Sequence, residues 1–190
     1  VIGLGMAGPT IIALGTEAQK ARHLQPLLSA DEIWCQGFSE PDAGSDLSAV
    51  RTSARLEGSN FVVDGQKVWS SYAHIADWCI LITRSDPASS GHAGLTYLIV
   101  DMKAPGVEVR PLRQITGEAE FNEVFFDGAF VPDDHLIGAE NNGWQVSSST
   151  LTHERGTNPR QFVIHAQLLE ELFQLAIESG RYDDPRLQRE

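Results

Sequence analysis

Three carboxylates and three serines lie in one short stretch of the chain, GFSEPDAGSDLSA, residues 37–49. Its glycines, proline and serines are typical of a turn whose backbone N–H and hydroxyl groups can contact a ligand. The acids Glu40, Asp42 and Asp46 would repel a phosphate, so we expect the polar groups to meet neutral polar atoms while the acids point outward. The alternative is a structural turn whose acids cap a neighbouring helix or strand end.

A second stretch that could do chemistry is FVVDGQKVWSS, residues 61–71. Asp64-Gly65 is a favoured two-residue hairpin turn, so we expect two short strands to be joined there. Trp69 is followed directly by Ser70 and Ser71, which places an aromatic face beside two hydroxyl groups. A Trp in such a run is also common in the core of a β domain, and that alternative stays open.

Two other patterns indicate no ligand. The stretch GLGMAG, residues 3–8, matches the glycine spacing of dinucleotide sites, but it lacks the preceding strand and the room for a crossover helix. We expect a helix–helix junction with small residues at a close contact. The six histidines are scattered, and Cys35 and Cys79 lack metal-ligand spacing, so we predict no metal site. We expect two free thiols in a reducing, cytoplasmic location, and one disulfide between them is the alternative.

Helical periodicity marks both ends of the chain. Residues 10–30 are predicted to be helical, with Thr16 as an N-cap and Gln19 completing a capping box. From Gly143 the helical period returns, and Gly180 is a plausible C-cap. An apolar helical stripe lies between them, formed by Phe162, Ala166, Leu169, Phe173 and Ala176.

Short β-prone runs separated by Gly and Pro fill residues 34–132, which is typical of a sandwich or small barrel. The predicted fold class is therefore α+β, with an antiparallel barrel-like or sandwich-like β domain over 34–142. Helical segments over 1–33 and 143–190 flank it.

Composition excludes two classes of partner. The 190 residues are 42% hydrophobic and 21% charged, as in ordinary globular proteins. The formal net charge of −12 argues against nucleic acid, whose binding needs clustered Lys and Arg. No apolar run approaches the roughly 20 residues that cross a bilayer, so we expect no membrane partner. The chain starts in mid-pattern without Met, which leads us to expect a piece of a longer protein.

Five stretches together resemble the acyl-CoA dehydrogenase family of flavoproteins. In chain order they are LGTEAQKARHLQPLLSADE (14–32), FSEPDAGSDLSAVRTSA (38–54), NFVVDGQKVWSSYAHIADW (60–78), VFFDGAFVP (124–132) and LTHERG (151–156). The pair SEPDAGSD and GQKVWSS is the most specific part. The resemblance implies a helical domain, a central β domain and a C-terminal helical bundle. This chain is expected to hold the end of the first, all of the second and the start of the third.

The resemblance also implies an FAD site made of two segments. The first contributes Gln36, Phe38, Ser39, Gly44 and Ser45. In it, the backbone of Phe38 and the hydroxyl of Ser39 are expected to hydrogen-bond the pyrimidine side of the isoalloxazine. The second segment contributes Trp69, Ser70 and Ser71. Its indole would pack on the ring, and the last of its hydroxyls would lie near N5.

Substrate contacts are implied at Ser45, beside the thioester, and at Arg155, near the nucleotide portion of acyl-CoA. In most of the family the catalytic base is a glutamate that comes after the position of residue 190. A minority carry it in an L-x-x-E-R context, which LTHER (151–155) matches, so Glu154 is a candidate base. The alternative is a solvent-facing Glu paired with a nearby Arg. Gly156 and Pro159 interrupt the helix expected there.

The implied function is FAD-dependent α,β-dehydrogenation of an acyl-CoA thioester in fatty acid and lipid metabolism. The implied electron acceptor is electron-transfer flavoprotein or a similar protein, and the implied assembly is a homo-oligomer. An acyl-CoA oxidase, a flavin monooxygenase of the same superfamily, and a non-catalytic fragment that binds acyl-CoA or flavin are the alternatives. In the family a neighbouring subunit and the C-terminal bundle also hold FAD, so this stretch by itself is not expected to turn over acyl-CoA.

Overall fold

The computed structural model contains a seven-stranded sheet and α-helices, and it describes residues 2–155 and 159–186, apart from the side chains of 159–161. The helices are α1 (Gly8–Leu14), α2 (Glu17–Ser29), α3 (Gly143–Arg155) and α4 (Pro159–Glu178). The strands are β1 (Trp34–Gly37), β2 (Ser53–Glu57), β3 (Asn60–Lys67), β4 (Trp78–Arg84), β5 (Leu95–Asp101), β6 (Val107–Leu112) and β7 (Phe121–Pro132). The chain divides into two compact units between Glu154 and Arg155.

The sheet runs β1-β4-β2-β3-β7-β6, with β5 paired to β4. Strands β2, β3, β7 and β6 pair in antiparallel succession, and β4 pairs antiparallel with β5. Strand β1 runs parallel to β4, and one parallel bridge joins Ser53 of β2 to Arg84 of β4. The predicted α+β class is confirmed, but the sheet is mixed rather than purely antiparallel, because β1 and β2 each pair parallel with β4.

Strand β4 separates two hydrophobic cores. Ile80 and Ile82 project into the core that the sheet shares with α1, α2 and α3, whereas Cys79 and Leu81 project into the core on the other side of the sheet. Because successive side chains of a strand alternate between faces, both sets can be fully buried. The thiols of Cys35 and Cys79 are both free and buried.

The predicted helical stretch 10–30 is two helices with a break at Gly15. This residue is extended, with ψ 158°, and its successor Thr16 is the N-cap of α2. The predicted capping box is confirmed: the Gln19 backbone N–H donates to Thr16 Oγ1 (3.2 Å), and the Thr16 N–H donates to Gln19 Oε1 (3.0 Å). The GLGMAG stretch is itself helical, and Gly3 and Gly8 lie against Leu27 of α2. It is therefore a close helix–helix contact.

The predicted hairpin turn at Asp64-Gly65 is wrong. Both residues lie inside β3, and the β2–β3 hairpin turns instead at Gly58-Ser59. The β3–β7 register shifts between Val63 and Gly65, so the dipeptide marks an irregularity in one continuous strand. The Gly is required there by φ +151° and by close packing on Thr52. A bulge and a turn favour the same residue types, so the Asp-Gly pattern alone does not distinguish them.

The second unit contains α4, a helix of 20 residues, as the apolar stripe predicted. The last residue of α4 is Glu178; Gly180, two residues later, has φ +67°, and the Arg181 N–H donates to the Ala176 carbonyl at 2.8 Å. That bond closes a left-handed C-terminal cap and confirms the predicted role of the glycine. Large apolar side chains of α4 are exposed in the described part of the chain, Phe162 and Leu172 among them.

Candidate functional site

The first predicted segment leaves strand β1 and turns back on itself. Gln36 lies in the strand, and Phe38 just after it is buried, edge-on to Tyr97 with ring centroids 6.0 Å apart. Mutual backbone hydrogen bonds between Glu40 and Ala43 (2.8 and 3.1 Å) close a tight turn. Gly44, beyond that turn, is exposed. The segment is thus anchored at its start and open to solvent at its end.

One acid of this loop is buried, contrary to the expectation that all three point outward. The Glu40 side chain is 8% exposed, whereas Asp42 and Asp46 are exposed as predicted. Its carboxylate accepts from the backbone N–H groups of Arg51 (2.7 Å) and Thr52 (2.8 Å). Glu40 therefore caps the start of β2, which is the structural alternative that the sequence left open.

The partner of Glu40 is Lys67, the last residue of β3, whose side chain is fully buried. Lys67 Nζ lies 2.8 Å from Glu40 Oε1 and donates to the Phe38 carbonyl at 3.0 Å. Burial lowers the pKa of Lys67 to about 8, against the attraction of Glu40. Burial also disfavours the Glu40 carboxylate, but Lys67 and the hydrogen bonds outweigh it and hold its pKa below the usual value.

The second predicted segment, Trp69–Ser71, follows β3 and has a constrained backbone. Trp69 has φ +60°, a left-handed conformation uncommon for a large residue, and it is 59% exposed. Its ring meets that of Phe121 edge-on at 6.0 Å between centroids. The alternative of a packed core Trp is therefore wrong, since the indole lies on the surface of the β domain.

Asn122 of β7 holds this second segment in place. Its fully buried side chain donates from Nδ2 to the Ser70 carbonyl (2.9 Å), and its own backbone carbonyl accepts from the Ser70 N–H (3.0 Å). Its Oδ1 atom pairs with His74 Nδ1 at 3.2 Å. The Tyr72 N–H donates in turn to the Glu120 carbonyl at 2.8 Å. These bonds stabilise the left-handed backbone of Trp69 and Tyr72. Asn122 was not identified from the sequence, because its partners are about 50 positions away.

The structure brings the two segments together. The Val68 backbone N–H donates to the Ser39 carbonyl at 2.9 Å, directly beside the contact between Lys67 and Phe38. Within the described residues, the hydroxyls of Ser39 and Ser71 have no hydrogen-bond partner in the protein, and the same holds for the buried oxygens Gln36 Oε1 and Ser70 Oγ. The partly exposed hydroxyls of Ser39 and Ser71, one from each segment, fit a flat, neutral ligand that is rich in donors and acceptors. Gln36 Oε1 and Ser70 Oγ are instead enclosed by protein atoms.

The remaining predicted residues lie elsewhere on the chain. Ser45 is exposed at the open end of the first segment. Glu154 and Arg155 occupy the last turn of α3, and both are exposed. The interruption predicted at Gly156 falls outside the described residues, and Pro159 begins α4. The Glu154 side chain is thus on the surface of the described chain rather than in a desolvated pocket.

A deeper polar chain ties α3 to the sheet near Phe38. Tyr97 of β5 is fully buried, and its hydroxyl lies 3.1 Å from Thr150 Oγ1 of α3, which lies 2.8 Å from Thr10 Oγ1 of α1. Burial raises the pKa of Tyr97 far above its usual range. These hydrogen bonds hold α1 and α3 against β5, whose Tyr97 packs on Phe38. No local pattern in the sequence indicated them.

Neither a metal site nor a membrane-spanning helix is found in the described part of the chain. No group of three or more His, Cys, Asp and Glu side chains is placed to bind a metal ion there. Among the described helices, none combines the length and apolar character needed to cross a membrane.

Comparison with known proteins places both segments in one recognised domain. Residues 35–129 match the family model described as "Acyl-CoA dehydrogenase, middle domain". The chain belongs to the acyl-CoA dehydrogenase family. The match contains Gln36–Ser45 and Trp69–Ser71, and it ends before Glu154.

Sequence and structural similarity to individual acyl-CoA dehydrogenases supports this assignment. The chain is 48% identical to Acyl-CoA dehydrogenase IpdE1 of Mycobacterium tuberculosis over 96% of its own length and 48% of that protein. Among solved structures, it is similar to the Tcur3481-Tcur3483 steroid ACAD, with a TM-score of 0.88 and 32% identity over 99% of this chain and 49% of that one. It is also similar to the ChsE4-ChsE5 complex from Mycobacterium tuberculosis, with a TM-score of 0.75 and 34% identity over 80% of this chain and 39% of that one. The chain spans between 39% and 49% of the length of these relatives.

Proposed function

We propose that this chain forms the flavin-facing portion of an acyl-CoA dehydrogenase that catalyses α,β-dehydrogenation of an acyl-CoA thioester. The observation that carries the proposal is the meeting of the two segments at the Ser39–Val68 hydrogen bond, with an unpaired, partly exposed serine hydroxyl in each segment. The residues that would hold FAD are Gln36, Phe38, Ser39, Gly44, Ser45, Trp69, Ser70 and Ser71. FAD, when bound, supplies the acceptor for the hydride that leaves the β-carbon.

The chain's own residues then have distinct roles. The Trp69 indole offers an exposed aromatic face, which orients a planar ring by stacking and excludes water from one side of it. The hydroxyls of Ser39 and Ser71 supply hydrogen bonds, and both can rotate to donate or to accept. Ser45 and Arg155 would contact the thioester and the nucleotide portion of acyl-CoA. Glu154 is the candidate for removing the α-proton.

The likeness to the steroid ACAD supports a narrower substrate class. We propose that the acyl group is attached to a polycyclic, steroid-derived skeleton rather than to a simple fatty chain. Electron-transfer flavoprotein, or a similar protein, would accept the electrons. The intact enzyme is expected to be an oligomer. The solved relatives Tcur3481-Tcur3483 and ChsE4-ChsE5 are each named for two proteins, which favours a complex with a second, different chain over a homo-oligomer.

The visible spectrum of the intact purified protein tests the proposal. We expect flavin absorption bands that bleach anaerobically when a steroid-derived acyl-CoA is added, and that bleach less with straight-chain acyl-CoA thioesters. Slow reoxidation after a pulse of oxygen would distinguish a dehydrogenase from an oxidase or a monooxygenase. Protein that is purified without flavin and takes up no added FAD would refute the proposed function.

Substitution of Trp69 tests which residue faces the ring. Trp69→Ala should lower FAD retention more than Ser70→Ala, because the indole buries far more area on a flat ligand than one hydroxyl does. The measurement is the ratio of flavin to protein after gel filtration of each variant. Equal ratios in the wild type and in Trp69→Ala would remove this residue from the site.

A further inference from the structure

The two segments that meet at the proposed flavin site are joined by a single buried cation. Lys67 Nζ contacts Glu40 Oε1 at 2.8 Å and the Phe38 carbonyl at 3.0 Å, and its side chain is fully buried. Lys67 is the residue before Val68, whose N–H donates to the Ser39 carbonyl. One side chain and the adjacent peptide group therefore bind three consecutive residues of the first segment.

The surroundings leave room for this lysine. Gly37 has no side chain, and a Cβ built there would lie 3.4 Å from Lys67 Cγ, 2.7 Å from Leu81 Cδ1 and 3.1 Å from Cys79 Sγ. A larger residue would compete with the lysine stem for the same space. Burying an ammonium group is costly unless it is paired and hydrogen-bonded, and here one carboxylate and one carbonyl accept two of its three N–H donors.

The carboxylate of Glu40 extends the connection to a third element. It accepts hydrogen bonds from the backbone N–H groups of Arg51 and Thr52 and forms an ion pair with Lys67, so both of its oxygens have partners. Its backbone closes the turn with Ala43. The pair thus links the turn at 40–43, the start of β2 and the end of β3 at one point.

We propose that the Lys67–Glu40 pair is a positioning device for the flavin site, which holds the first segment in register with the Trp69 segment so that both present their unpaired polar groups to one ligand. The inference rests on the proposed function. Lys67 directs its ammonium group to protein acceptors, so it acts through Phe38 and Glu40 and is a positioning residue rather than a catalytic one.

The alternative role for this pair is to stabilise the fold alone. The two roles predict different effects of substitutions on FAD binding. If the pair only stabilises the fold, any substitution that costs similar stability should affect FAD equally. If it positions the loop, FAD binding should suffer specifically when the pair is broken, even at temperatures where every variant is fully folded.

The test uses the intact protein and compares Lys67→Met with two matched controls. Lys20→Met breaks an exposed pair with Glu17 that has the same 2.8 Å separation. Val63→Ala truncates a fully buried residue of the same strand and leaves the pair intact. The FAD dissociation constant is measured by flavin fluorescence well below each unfolding temperature, and the visible circular dichroism of bound FAD is recorded at saturation.

We expect Lys67→Met to raise the FAD dissociation constant at least tenfold and to change the dichroism of the bound flavin. Both controls should stay within about twofold of the wild type and keep its dichroism. If Lys67→Met does not fold, Glu40→Gln keeps the shape of the carboxylate and removes its charge. We expect that variant to raise the constant at least threefold.

The pH dependence supplies a second readout. Because burial lowers the pKa of Lys67 to about 8, its charge should be lost at mildly alkaline pH, and FAD affinity of the wild type should fall as pH rises through that value. The groups that face Lys67 are Glu40 from the loop and Cys79 from β4. The Lys67→Met protein should lack this alkaline loss.

The outcomes separate the inference from the function on which it rests. Wild-type protein that binds no FAD refutes the proposed function, and this inference with it. Wild-type protein that binds FAD, together with a Lys67→Met or Glu40→Gln variant that binds it with unchanged affinity and dichroism, refutes the inference alone. An equal loss in Lys67→Met and Val63→Ala would assign the pair to fold stability and would also overturn the inference.

Discussion

Acidification should destabilise this protein through His23, which is buried where α2 meets the sheet. Only 2% of the residue is exposed, and its ring lies edge-on to Trp34 (5.3 Å between centroids) and Trp78 (4.9 Å). Its Nδ1 atom is buried without a hydrogen-bond partner among the described residues. A protonated ring in this place would lose its hydration and gain no acceptor at that atom, so folding strongly favours the neutral form.

The size of the effect follows from the pKa. The pKa of His23 is lowered from 6.5 to about 4, chiefly by burial and to a smaller extent by Arg22 and His135, while Glu32 opposes them. Between these two values the unfolded chain binds a proton that the folded chain does not. The free energy of unfolding is therefore fully retained above pH 6.5 and falls as pH drops towards 4. About 2.5 pH units at about 1.36 kcal/mol per unit give a loss of about 3 kcal/mol.

The assay is urea unfolding of the intact protein at several pH values between about 4 and 7.5, for the wild type and for His23→Leu. The leucine fills much of the same space and cannot titrate. We expect the wild type to lose about 3 kcal/mol more than the variant across this window. Carboxyl groups with lowered pKa, such as Asp77, contribute equally to both proteins and so cancel in the difference. Parallel profiles for the two proteins would refute the reasoning.

Two further substitutions test the strand geometry and the candidate base. Gly65→Ala should cost about 1–3 kcal/mol of stability and lower the melting temperature, because its Cβ would lie 2.6 Å from Thr52 Oγ1 at φ +151°; Gly5→Ala, with open space around it, is the matched control. A melting temperature for Gly65→Ala equal to that of the control would contradict the close packing. If Glu154 is the base, Glu154→Gln should slow anaerobic flavin reduction by about 10² to 10⁴ while FAD still binds. A single-turnover rate within about threefold of wild type would instead leave it a surface residue of α3.

Much of the architecture could be predicted from local pattern. The capping box at Thr16, the strands with alternating apolar residues and the apolar helix α4 each depend on neighbours within a few positions, and sequence displays those neighbours directly. The Asp64-Gly65 error shows the limit of that approach. A glycine that permits an unusual φ is equally suited to a turn and to a bulge, and the choice depends on β7, about 60 residues later.

The candidate site likewise has features that local sequence could predict and features that it could not. The residue types of SEPDAGSD and of GQKVWSS, with the family resemblance they carry, were enough to indicate two segments with a common ligand. The sequence could not show that Glu40 turns inward while Asp42 and Asp46 face solvent, since all three are acids in one loop. Burial of a charge is decided by whether a partner lies within reach, and the partner here is Lys67, 27 residues away. Sequence therefore determined which groups are available for chemistry. The tertiary structure alone decided which of them are desolvated, paired or left free for a ligand, because those properties depend on atoms that only folding brings together.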